Sequence, residues 1–126
     1  MSWSFEDHSP IYTQLTARLQ QQIVSGAYPP GCRLPSVREL AQQAGVNPNT
    51  VQRALGELER DGLIVTQRTA GKFVTEDHAA LDELRRRLAR AQAAAYLSAL
   101  HSLGYDAAQG VAFRQETAEE EVSCQF

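Results

Sequence analysis

Two helix-start signals separated by one tight turn constrain this chain more than any other feature. Ser36-Val37-Arg38-Glu39 has the form of a capping box. The Ser hydroxyl and the Glu carboxylate each satisfy a backbone N–H that the first turn leaves free. That helix runs through Leu40 and Ala41 to about Ala44, where Gly45 ends it. Asn47-Pro48 then opens another, with Asn as cap and Pro at the first helical position. The second helix runs from Pro48 to Asp61 with Val51, Leu55 and Leu58 as its apolar stripe, and Gly62 ends it. Only Gly45-Val46-Asn47 separates the two, which is the spacing of a helix-turn-helix.

The flanks complete a small domain. Ser9-Pro10 predicts a helix start, with Ser as cap, and Ile11, Leu15, Leu19 and Ile23 follow in four-residue steps until Gly26. After Gly62, Leu63–Gln67 and Lys72–Thr75 read as two strands around the turn Arg68-Thr69-Ala70-Gly71. A hairpin directly after the second member of a helix-turn-helix is a wing. Beyond Asp77 the composition turns to Ala, Arg and Leu, strong helix formers. Leu81, Leu84, Leu88, Ala91 and Ala95 recur in steps of three and four, a coiled-coil-like seam. Gly104 ends that helix, and Asp106 caps a shorter one to about Gln115, interrupted by Gly110.

The expected architecture is mainly α with a small β-hairpin. A winged helix-turn-helix covers residues 9–76, a two-helix dimerisation region 77–118, and an unstructured acidic tail 119–126. The leucine stripe assigns dimerisation to Leu81, Leu84, Leu88, Ala91 and Ala95, because a small winged domain already has its own core. The alternative is that this helix folds back on its own domain.

The chain's 126 residues suit one domain plus an appendage. No apolar run approaches the ~18 residues of a membrane span, so a soluble, cytoplasmic protein with no membrane partner is expected. Met1 to Asp7 is acidic and lacks an apolar core, which predicts no signal peptide. Cys32 and Cys124 are too few and too far apart for a disulfide framework or a zinc site. His8, His78 and His101 are scattered, with no phosphate loop and no paired ligands, so neither an enzyme, a metal site nor a cofactor is expected.

The net charge of −3 seems to argue against a nucleic-acid partner. Read by segment, it does not. Arg33 to Lys72 holds six basic residues against four acids, and residues 77–126 carry the acidic excess. The start of the third helix presents Asn47, Asn49, Thr50, Gln52 and Arg53. Asn and Gln can pair with adenine, Arg with guanine, and a Thr methyl can touch thymine. Arg38 lies where it can reach a phosphate or a base edge, and Arg68 and Lys72 flank the wing turn. The competing reading of Asn47, Asn49 and Thr50 is a cap with solvated neighbours, and Arg53 can pair with Glu57. Arg85, Arg86, Arg87 and Arg90 read as a solvated helix face paired with Asp82, Glu83 or a partner chain.

Several segments then coincide, in order, with one family. Pro10-Ile11-Tyr12-Thr13-Gln14-Leu15, Leu34-Pro35-Ser36-Val37-Arg38-Glu39-Leu40-Ala41, Gly45 through Ala54, Gly62-Leu63-Ile64 and Gly71-Lys72-Phe73-Val74 resemble the GntR family of bacterial transcription regulators. The short tail resembles the YtrA-type subfamily. The resemblance implies a homodimer that binds a double-stranded DNA operator, usually as a repressor. It also implies DNA contacts at Ser36 and Arg38, a recognition set of Asn47, Asn49, Thr50 and Arg53, and a wing-tip Gly71 beside Lys72. Two departures stand out. Thr69 replaces the first of two usual wing glycines, and Pro48 and Gln52 stand where larger subfamilies often have basic residues. A winged-helix protein–protein module is the competing function. The polar set from Asn47 to Arg53 argues against it, because interface cores favour apolar and aromatic anchors. The tail is too small to enclose a pocket, so an unidentified small-molecule effector would sit at a dimer or domain junction.

Overall fold

A computed structural model of the chain describes residue 5 and residues 9–125, with side chains to residue 121. The remainder of the Met1 to Asp7 stretch, together with His8 and the Cys124 side chain, lies outside the described residues. The elements are α1 (Ile11–Val24), α2 (Val37–Ala44), α3 (Pro48–Arg60), β1 (Ile64–Gln67), β2 (Gly71–Val74), α4 (His78–Ser102) and α5 (Ala107–Gln125). The chain divides into two compact units, residues 1–85 and 86–126, and α4 runs through the division.

The N-terminal unit is the winged helix-turn-helix. Leu15, Leu19 and Ile23 bury one face of α1 against α3, while Ile11, the first residue of the predicted stripe, is exposed. Ser9 is not the cap of α1. Pro10 takes that position without a side-chain cap, and the Gln14 amide donates to the Ser9 carbonyl at 2.9 Å.

Both capping-box bonds of α2 are present. The Glu39 N–H donates to the Ser36 hydroxyl at 3.1 Å, and the Ser36 N–H donates to Glu39 Oε1 at 3.3 Å. Gly45 then adopts φ 70°, a left-handed conformation that turns the chain within three residues. Replacing Ser36 by Ala is expected to lower the stability of the unit by about 1 kcal/mol, read as a lower midpoint in a urea titration.

The hairpin pairs Ile64 with Val74 and Gln67 with Gly71, leaving Arg68, Thr69 and Ala70 as the loop. An extended stub lies against β2. Arg33 bridges to Phe73, the Leu34 N–H donates to the Lys72 carbonyl at 2.8 Å, and the Val74 N–H donates to the Cys32 carbonyl at 2.9 Å. The stub before Pro35 is therefore part of the wing's sheet.

The start of α4 packs within the winged domain. Leu81 and Leu84 are 4% and 2% exposed within the single chain, and both belong to the N-terminal unit. The winged domain does bury this part of the stripe, because α4 begins against it. Arg85 fixes that start: Nε and Nη2 donate to the Val24 carbonyl at 3.3 and 3.0 Å, and Nη1 pairs with Asp82 at 2.7 Å. A cation at the last carbonyl of α1 also suits that end of the helix dipole. Leu88 is half-buried, and Ala91 and Ala95 are exposed.

The C-terminal unit pairs the rest of α4 with α5. Gly110 does not interrupt α5. It is the buried point of the pair, where a Cβ would stand 2.9 Å from Leu97 Cδ2 and 3.3 Å from Leu100 Cδ1. The Tyr96 hydroxyl donates to the Gly110 carbonyl at 2.8 Å, and Tyr105 and Phe113 meet edge to face at 5.0 Å. The expected end near Gln115 and the unstructured tail from Glu119 are also corrected, since α5 continues to Gln125. Asp106 and Gln109 form a reciprocal cap that nucleates it, and a segment rich in Ala and Glu favours its continuation. Among the described residues no helix is long and apolar enough to cross a membrane.

Candidate nucleic-acid interface

The third helix owes its orientation to its own buried stripe. Val51, Ala54, Leu55 and Leu58 point into the core. The 3.6-residue period therefore turns Asn49, Gln52 and Arg53 outward, with Thr50 half-buried between the faces. Asn47 is the N-cap, its Oδ1 accepting the Asn49 N–H at 2.8 Å. One acceptor of Asn47 is thus spent locally, and its amide NH2 remains the group free to meet a base.

Asn49, Thr50 and Arg53 line one shallow groove together with Ile11 and Tyr12 of α1. The Arg53 guanidinium carbon lies 3.7 Å from the centre of the Tyr12 ring. Such a stack holds a long cation in one orientation without neutralising it. Tyr12 was not among the expected site residues. No periodicity signals a contact between residues 41 positions apart, and Arg53 takes the ring as neighbour where Glu57 was the expected competitor. Glu57 instead pairs with Arg60 at 3.4 Å. Exposed Ile11 also belongs here, which is why it departs from the core stripe.

Ser36 and Arg38 are exposed at the start of α2, but the Ser36 hydroxyl already accepts the capping bond. At the wing, Arg68 is exposed in the loop. Gly71 has φ 106°, which side chains rarely adopt, so its place at the turn needs glycine. Lys72 sits differently from the sequence expectation. Its Nζ donates to Glu59 Oε1 at 2.9 Å and to Thr66 Oγ1 at 2.8 Å, and the Thr66 hydroxyl donates to Glu59 Oε1 at 2.7 Å. Much of the Lys72 charge is therefore compensated within the chain.

The same bonds, first that from Lys72 and then that from Thr66, hold the Glu59 carboxyl below its ordinary value. A carboxyl depressed in the folded state stabilises that state above its unfolded pKa and loses the contribution as pH falls through the folded one. The tie between α3 and the wing is expected to persist at neutral pH and to open only in acid. Proton NMR of Lys72 and Thr66 should show one transition below the ordinary glutamate range, absent in Glu59→Gln.

A helix-turn-helix, a wing and an outward polar helix start are now placed in one unit. The family model for bacterial regulatory proteins, gntR family, matches residues 11–74. The chain belongs to the GntR family. The match spans the whole reading head from α1 to β2. A GntR family transcriptional regulator from Listeria monocytogenes superposes with a TM-score of 0.81 at 38% identity, over 89% of this chain and 98% of that one. The HTH-type transcriptional repressor YtrA of Bacillus subtilis is 45% identical over 69 residues, which are 55% of this chain and 53% of YtrA. This GntR chain therefore spans about half the length of that relative. The AraR DNA-binding domain, solved in complex with operator ORX1, superposes at a TM-score of 0.54 and 29% identity, over 60% of this chain and 95% of that one. The GntR chain is a transcriptional regulator with a DNA-binding winged helix. Its relatives are transcriptional regulators.

Proposed function

We propose that the chain is a cytoplasmic, homodimeric repressor that binds a pseudo-palindromic operator in double-stranded DNA. The start of α3 enters the major groove, and the wing meets the minor groove or the phosphate backbone. The observation that carries this reading is the outward set Asn49, Gln52 and Arg53, with Arg53 braced on Tyr12. The operator complex of AraR and the repressor name of YtrA support it.

Two subunits are needed for physical reasons. A single winged module buries only about 600–1,000 Å² of protein surface, and its basic surplus is small. A two-fold dimer places two modules on one duplex, with half-site centres about one helical turn apart, ~34 Å. With Leu81 and Leu84 occupied internally, the dimer surface is assigned to Leu88, Ala91 and Ala95 of α4, and the C-terminal unit also exposes Leu103, Val111 and Phe113. An effector, where there is one, binds at a junction between subunits or domains. Footprinting on a duplex selected from a random DNA pool tests the reading. Two protected half-sites one turn apart are expected, and uniform weak protection along the DNA would refute it.

A further inference from the structure

We propose that Arg33 is a phosphate-contacting residue of the wing, the role that sequence spacing gives to Lys72. This rests on the DNA-binding reading above and extends it to a residue outside the helix-turn-helix. Arg33 stands before α2 in sequence, yet its bridge to Phe73 makes it part of the hairpin's sheet. Its side chain lies over the wing turn. The position a Cβ would take on Gly71 is 3.1 Å from Arg33 Nε and 3.5 Å from Nη2. The positive φ of Gly71 is what calls for glycine there, and the absence of a Cβ leaves room for the guanidinium beside the turn.

The charges favour the same assignment. Lys72 is tied to Glu59 and Thr66, so using it on DNA would first break an ion pair. Among the described residues Arg33 pairs with no carboxylate, and it is exposed. Arg68 in the loop is exposed likewise. An unpaired guanidinium beside a loop cation is suited to the phosphate backbone, where Arg can donate two parallel bonds to one phosphate. A phosphate contact fixes the wing without reading sequence, so removing it acts on all duplexes alike.

The test uses the full-length protein and two duplexes, one carrying its selected binding sequence and one scrambled, titrated across 50–200 mM salt. For Arg33→Ala, binding should weaken by a similar factor on both. The slope of log binding constant against log salt should fall by about 0.9 for each phosphate that the variant no longer neutralises. Arg33→Lys, which keeps the charge, should retain the wild-type slope. Thermal melting of each variant should match wild type, because the Arg33 side chain is exposed. A wild-type slope in Arg33→Ala overturns the assignment and leaves the DNA-binding reading standing. Weakening confined to the selected sequence also overturns it, by showing base readout. Failure of the wild-type protein to bind either duplex overturns both.

Discussion

Leu84→Glu is expected to unfold the N-terminal unit rather than to release a folded monomer. Leu84 is 2% exposed and lies one turn from Leu81, itself 4% exposed. Truncating a buried leucine to alanine typically removes 2–5 kcal/mol, and an unpaired buried carboxylate adds a further penalty. Small domains are stable by only about 5–15 kcal/mol in total. The substitution should therefore abolish or sharply lower the cooperative thermal transition followed by circular dichroism. Leu88→Glu is the informative partner. Leu88 is half-buried in the single chain, so the variant should keep its transition and shift in sedimentation from dimer mass to monomer mass. A normally melting Leu84→Glu protein would remove Leu84 from the core. A Leu88→Glu dimer would move the subunit contact elsewhere.

Asn49→Ala should remove discrimination more than attraction. Asn49 is exposed on the first turn of α3, and its backbone N–H is already held by Asn47. Its side-chain amide is exposed and can pair with adenine. A bidentate base contact contributes about 1–3 kcal/mol of discrimination. Two subunits on one operator make that about 2–6 kcal/mol, on the order of 30- to 10⁴-fold. Binding to a scrambled duplex should change little, because that affinity comes from phosphate contacts. Arg38→Ala is read alongside it: weakening on both duplexes together marks a phosphate contact, and weakening confined to the operator marks a base edge. Competition mobility shifts read both variants. An unchanged ratio of operator to scrambled affinity in Asn49→Ala would exclude it from base readout.

Local physics made the reading head legible. The Ser36–Glu39 box, the left-handed Gly45 and the Asn47-Pro48 start each act within four residues, so the sequence displays them directly. The hairpin also falls within one residue of its expected strands. What the sequence hides are choices between partners. The stripe from Leu81 to Ala95 states that α4 has an apolar face, but not that its first turns close the winged core while later ones remain open. Lys72 reads as a free cation because Glu59 stands 13 residues away, and only the folded hairpin brings them together. Gly110 reads as a breaker from its helix propensity, whereas in the fold it is the point where Leu97 and Leu100 approach α5 closely.

The corrected picture sharpens the electrostatic argument. Of the wing's cations, Lys72 is internally paired and Arg33 is seated on the turn. On the proposed dimer, few phosphate contacts per subunit would give modest non-specific attraction, and useful affinity would rest on base readout by two copies of α3.

Selection of bound duplexes from a random DNA pool tests that claim most directly. An enriched inverted repeat with half-site centres about one helical turn apart, absent with Asn49→Ala, is the predicted result. A pool that remains random, or an enriched single site without two-fold symmetry, would contradict it.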